Sequence, residues 1–211
     1  SKGIGTSSDG RYKSIYAPRD SGQAMAVDRA YQDAGFEPAT VGLVEAKGKG
    51  RPDGEHEEFG GHREVFGHNN TTTQHIALGS VKSQIGHTKA AAGAASLIKT
   101  ALALHHRILP PTLNVERPNP KMDIENSPFY LNTHSRPWLS PQNGLPRRAG
   151  VSAFGFGGTN FHFALEEYDA EAHGTYRLHK TPEDVFITAP TPAQLVSKCE
   201  SELIALQGEA G

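Results

Sequence analysis

Lys82 and His87 stand at the head of a run built largely of alanine and glycine, SVKSQIGHTKAAAGAASLIKTALALHH, residues 80–106. A cation and an imidazole in that setting can polarise a carbonyl or thioester oxygen. A helix N-terminus carries partial positive charge, which disfavours imidazolium and leaves a neutral His87 able to donate one hydrogen bond. A second candidate is the turn in GVSAFGFGGTNFHFALEE, residues 150–167. There Gly155, Gly157 and Gly158 let backbone N–H groups approach a bound oxygen, while Phe154 and Phe156 supply apolar walls. The basic stretch KGKGRPDG, residues 47–54, has the composition of a phosphate-cradling loop but lacks the GK[ST] ending and apolar helix of a nucleotide site. Cys199 lies in PTPAQLVSKCESELIAL, where Leu195, Cys199, Leu203 and Leu206 share a helical face. It reads as a small apolar packing residue rather than a nucleophile. Eleven histidines invite a metal, yet His56 and His62 are spaced as HEEFGGH rather than HExxH, and no metal site is expected.

The elements that must position these residues follow from local signals. A helix is predicted from residue 22 to 34, ended by Gly35, and VGLVEAK reads as a short buried strand. Residues 48–54 are expected to form a loop, HEEFGGHREVF a helix, QHIALGSV a strand and residues 88–105 the alanine-rich helix, with Ala90 to Ala95 packed tightly. RILPPTLNVERPNPKMD is a proline-punctuated loop; FYLN and the two segments around GFGG are strands. From about Asp169 a polar linker leads to VFITA and the Cys199 helix. The 211 residues are 36% hydrophobic and 21% charged with a net charge of −2, which gives neither a nucleic-acid footprint nor a membrane field. No apolar run approaches the ~18 residues of a membrane span. A single cysteine excludes an internal disulfide and fits a reducing, cytoplasmic compartment.

Taken together and in order, VKSQIGHTKAAAG and SAFGFGGTNFH resemble the C-terminal half of a β-ketoacyl synthase, the condensing enzyme of fatty-acid and polyketide assembly. The likeness runs from about residue 2 to 168, and LPPTLNVERPNPKMDIENSPFYLNT is most similar to ketosynthase domains of polyunsaturated fatty acid synthases. The resemblance implies an α/β, thiolase-like fold of α-β-α-β-α layers, of which residues 1–168 form the C-terminal half. Residues 169–211 would then begin the linker between a ketosynthase and an acyltransferase. It implies decarboxylative Claisen condensation, with His87 and Lys82 in catalytic roles and Phe156, with Gly157, at the gate and oxyanion hole. Paired donors of that kind contribute on the order of 3 kcal/mol each. No cofactor is bound directly; the phosphopantetheine arm of an acyl carrier protein brings the substrate. The implied partners are that carrier protein, the N-terminal ketosynthase half with its nucleophilic cysteine, an acyltransferase domain, and a second copy in a homodimer, with no nucleic acid and no membrane.

The family pattern EAHGTGT followed by GD reads here EAKGKGRPDGE, residues 45–55. Lys47 takes the place of a catalytic histidine, Lys49 and Arg51 those of two threonines that hold the phosphopantetheine arm, and Glu55 that of an aspartate. Long cations are costly to bury unless paired, and Glu45, Glu55, Glu57 and Glu58 are candidate partners. Two explanations stand side by side: a non-elongating ketosynthase that still binds acyl chains, or an error in the sequence or a decaying gene. A non-catalytic acyl-binding or dimerisation module is the alternative function.

Overall fold

The computed structural model describes residues 1–10, 19–48, 52–115, 118–141, 144–155, 157–168 and 189–208. The chain divides into two compact units, residues 1–169 and 170–211. The first is built on a six-stranded sheet in the order β1 (Gly3–Ser8), β8 (Thr159–Glu166), β7 (Arg148–Phe154), β2 (Leu43–Glu45), β3 (Ile76–Gly79), β5 (Phe129–Leu131). β1, β8 and β7 pair antiparallel; β7, β2, β3 and β5 run parallel. β4 (Ile108–Leu109) and β6 (Arg136–Pro137) form a separate antiparallel pair.

Every residue of β2 and β3 is buried, the pattern of parallel strands covered on both faces. On one face lie α1 (Asp20–Ala34) and α2 (Pro52–Phe66), whose Val27, Tyr31, Phe59 and Phe66 pack with Ile76, Phe129 and Phe154. On the other lies α4 (Ala92–His106), whose Ala103 and Leu104 pack with Leu43, Ala77, Ala149 and Val151. The result is an α-β-α sandwich. α1 ends where Gly35 adopts a left-handed φ of 71° and its N–H bonds the Tyr31 carbonyl, as the sequence predicts.

The structure corrects three expectations. The helix predicted to start at residue 88 starts at Ala92, after a 3-10 turn Lys89–Ala91, because Lys89 has a φ of +56° and cannot continue an α-helix. Gly93 does come close to the sheet, but Ala90, Ala91 and Ala94 are exposed. Residues 52–54 belong to α2 rather than to a loop, with Pro52 at the first helical position.

In the second unit, α5 (Pro192–Gly208) is helical as predicted. Cys199 is exposed on it, together with Leu195, Val196 and Leu203, so it does not pack as an apolar core residue. The VFIT of the expected strand lies outside the described residues.

Candidate functional site

The parallel strands β2, β3 and β5 point their carboxyl ends in one direction, and a cleft of about 480 Å³ opens there. Ligands of open α/β sheets gather at this edge because helices and loops diverge from it. Ala46 and Gly48 line the cleft after β2, Ser80 and Lys82 after β3, and Leu131 at the end of β5; His87 stands on its wall.

Lys82 opens a single helical turn, α3 (Lys82–Ile85), which Gly86, at a φ of +74°, terminates before His87. The Lys89 N–H donates to His87 Nδ1 at 3.0 Å. A ring nitrogen that accepts a hydrogen bond carries no proton, so in the neutral ring the N–H is at Nε2, the nitrogen that can donate to a ligand oxygen. The histidine is therefore oriented by the turn that delays α4.

A buried ion pair fixes this turn against the sheet. Glu45, at the end of β2, is fully buried; its Oε2 accepts from Lys99 Nζ of α4 at 2.8 Å and its Oε1 from Ser96 Oγ at 3.3 Å. The Val81 N–H, just before Lys82, donates to the same Oε1. One carboxylate thus ties β2, the α3 turn and α4 together. Removing one partner of such a pair leaves an uncompensated buried charge. The cation on Glu45 is Lys99 of α4.

Lys47 is buried at 7% exposure between the cleft-lining Ala46 and Gly48, and its carbonyl accepts from Ser80 Oγ at 3.5 Å. Gly157 is exposed in the turn between β7 and β8 and is not among the cleft-lining residues. Phe156, Lys49 and Arg51 lie outside the described residues, and of Glu55 only its place in α2 is described.

Sequence reasoning missed a buried polar chain behind the cleft. Tyr31 Oη lies 3.2 Å from His162 Nε2, Ser152 Oγ lies 2.9 Å from His162 Nδ1 and 2.8 Å from His62 Nε2. The three contacts form one continuous chain of hydrogen bonds, with the direction of each set by the tautomers of the two imidazoles. Burial, and next the neighbouring His62, hold His162 well below the ordinary imidazole pKa; burial pushes the Tyr31 phenol up. Gly150 makes room, since a Cβ there would lie 2.6 Å from Tyr31 Oη and 2.8 Å from His162 Nε2. His62 also lines the cleft, so the chain reaches from the core to the site. The period-2 pattern of β8, which turns Asn160, His162 and Ala164 inward, is the signal that finds His162.

An α-β-α half with a lysine and an oriented histidine at the strand ends is the architecture of a condensing-enzyme domain. Residues 1–116 match the β-ketoacyl synthase C-terminal domain and residues 118–202 the ketoacyl-synthetase C-terminal extension; the chain belongs to the β-ketoacyl synthase family. It is 44% identical over 211 residues to a polyunsaturated fatty acid synthase polypeptide of Thraustochytrium sp., covering 98% of this chain and 8% of that protein. It is 41% identical over 169 residues to polyketide synthase PksL of Bacillus subtilis, covering 80% of this chain and 4% of that protein. The ketosynthase from module 6 of the bacillaene synthase of Bacillus subtilis 168 superposes with a TM-score of 0.76 at 41% identity, over 80% of this chain and 30% of that one. The chain therefore spans less than a third of that ketosynthase and less than a tenth of these synthases.

Proposed function

We propose that this chain supplies the C-terminal half of a ketosynthase site in a fatty-acid or polyketide synthase, which joins an acyl and a malonyl thioester by decarboxylative Claisen condensation. One observation carries the reading: His87, with its Nδ1 engaged by Lys89, shares the strand-end cleft with Lys82. In the malonyl step the bond between the α-carbon and the carboxylate breaks, CO2 leaves, and the electron pair forms an enolate whose oxygen receives the His87 Nε2–H. The α-carbon then attacks the acyl carbonyl, the enolate oxygen becomes a carbonyl again and leaves the N–H on His87, the C–S bond breaks, and the departing thiolate takes up a proton from solvent. Lys82 organises charge beneath the histidine. Phe156 and Gly157 form the gate and part of the oxyanion hole, and Lys49 and Arg51 meet the phosphopantetheine arm of an acyl carrier protein.

The remaining partners are an N-terminal ketosynthase half bearing the nucleophilic cysteine, an adjacent acyltransferase and a second copy in a homodimer, in the cytoplasm; residues 169–211 begin the linker. The exposed Ala90, Ala91 and Ala94 give the first half a surface it can approach closely. Lys47 presents an ammonium where the family pattern has an imidazole and so weakens condensation. That same substitution favours the second reading, a non-elongating acyl-binding or dimerisation module.

The test is CO2 release from malonyl-pantetheine by the polypeptide that carries both halves. His87→Ala lowers the rate about 100-fold, the scale of a lost acid-base or hydrogen-bonding group, and Lys47→His raises it. An unchanged rate in His87→Ala removes His87 from the chemistry. No gain in Lys47→His, with no release by the parent, selects the non-catalytic module.

A further inference from the structure

In the pair between Glu45 and Lys99 the carboxylate side chain is fully buried and the lysine side chain is 9% exposed. Taking two charges out of water is costly, and shape-matched apolar side chains commonly stabilise a core as well or better. Stability alone therefore does not account for the pair. Its connections do. Lys99 Nζ donates to Oε2 at 2.8 Å, which leaves Oε1 for two further donors, Ser96 Oγ at 3.3 Å and the Val81 N–H. Val81 is the cap residue of the turn that Lys82 opens, and its carbonyl accepts from the Gln84 N–H at 2.9 Å and the Ile85 N–H at 3.1 Å. The Gly86 N–H then donates to the Lys82 carbonyl at 3.0 Å and closes the turn one residue before His87. Gly79 lines the cleft, and a Cβ on it would touch Lys99 Nζ at 3.5 Å and Glu45 Oε2 at 3.8 Å, so the pair stands directly behind the cleft wall.

We infer that Glu45 is a positioning residue: its carboxylate, oriented by Lys99, holds the Val81 amide and thereby sets where the turn places Lys82 and His87 against the strand ends. The inference rests on the function proposed above, since it is the thioester chemistry of His87 that this placement serves. Neither member of the pair touches substrate; both act through the turn. A hydrogen bond to an ionised acceptor is shorter and stronger than a neutral one. A small displacement of a reacting group is costly in rate.

Two double variants of the polypeptide that carries both halves test this, because both remove the ion pair and they differ in one group. Glu45→Gln/Lys99→Met keeps an acceptor for the Val81 N–H, whereas Glu45→Met/Lys99→Met keeps the bulk and removes the acceptor. The Tm of each is expected within about 5 °C of the parent's, since removing both charges together leaves no uncompensated ion. CO2 release from malonyl-pantetheine is expected to fall about 10- to 100-fold in Glu45→Met/Lys99→Met and to stay within about threefold of the parent in Glu45→Gln/Lys99→Met. Long-range 1H–15N correlation of the His87 ring is expected to show the parental resonances in the glutamine variant and shifted ones in the methionine variant. Equal rates in the two variants, with the His87 ring unchanged in both, overturn the positioning role and leave the proposed function standing. Loss of the fold in Glu45→Met/Lys99→Met also overturns it, by showing a structural pair. No CO2 release by the parent defeats the proposed function instead. The ring spectra then decide alone: a shift confined to the methionine variant upholds the positioning of His87, and an unshifted ring overturns it.

Discussion

His62 and His162 lie with ring centroids 6.2 Å apart inside the core, and Ser152 bridges them. A proton added to His162 would have to enter a fully buried site enclosed by Tyr31 on α1 and His62 on α2, and both burial and the neighbouring His62 oppose it. The folded chain therefore refuses a proton that the unfolded chain accepts near the ordinary value of ~6.5. Stability is full above that value and falls as pH drops below it, by up to about 1.4 kcal/mol per pH unit from this group. Urea denaturation at pH ~7.5 and ~5.5, on either side of that value, is expected to show a larger acid loss for the parent than for His162→Gln. Equal losses would mean that His162 protonates inside the fold. Lys82 and His87 were legible in the sequence because their motif is local. The Tyr31–His162–Ser152–His62 chain was not, since its four residues come from four elements that only the sheet brings together.

Between elements, β1 lies close against α1 at its glycines. A Cβ on Gly5 would fall 1.9 Å from the Ala26 carbonyl oxygen and 2.5 Å from the Ala30 N, and both are backbone atoms that cannot swing aside. Gly5→Ala is expected to cost on the order of 3 kcal/mol by forcing the strand off the helix, read as a lower urea midpoint at unchanged m-value. An unchanged midpoint would contradict the seating of β1 on α1. The C-terminal end of α1 was legible because Gly35 supplies a left-handed cap. The start of α4 was not, because nothing in HTKAAAG announces that Lys89 takes a positive φ and that its N–H turns back to His87. That detour is what orients the imidazole. The same local irregularity that defeated the helix prediction therefore supports the site prediction.

At the scale of the molecule, the sandwich places its cleft where three parallel strands end, and Glu45 locks the Lys82 turn to two layers at once. The α/β class and the family were legible from two motifs in order. Which small residues touch protein was not, for Gly93 meets Ala153 while Ala90 and Ala91, in the 3-10 turn, and Ala94, on α4, are exposed. Everything proposed for the cleft depends on His87 presenting an N–H at Nε2 to a thioester oxygen. Long-range 1H–15N correlation of the histidine rings, before and after addition of butyryl-pantetheine, measures this directly. The account predicts a protonated Nε2 and an unprotonated Nδ1 in the neutral His87 ring, with the Nε2–H resonance shifting on titration. A proton on Nδ1, or an Nε2–H resonance indifferent to the thioester, would contradict it.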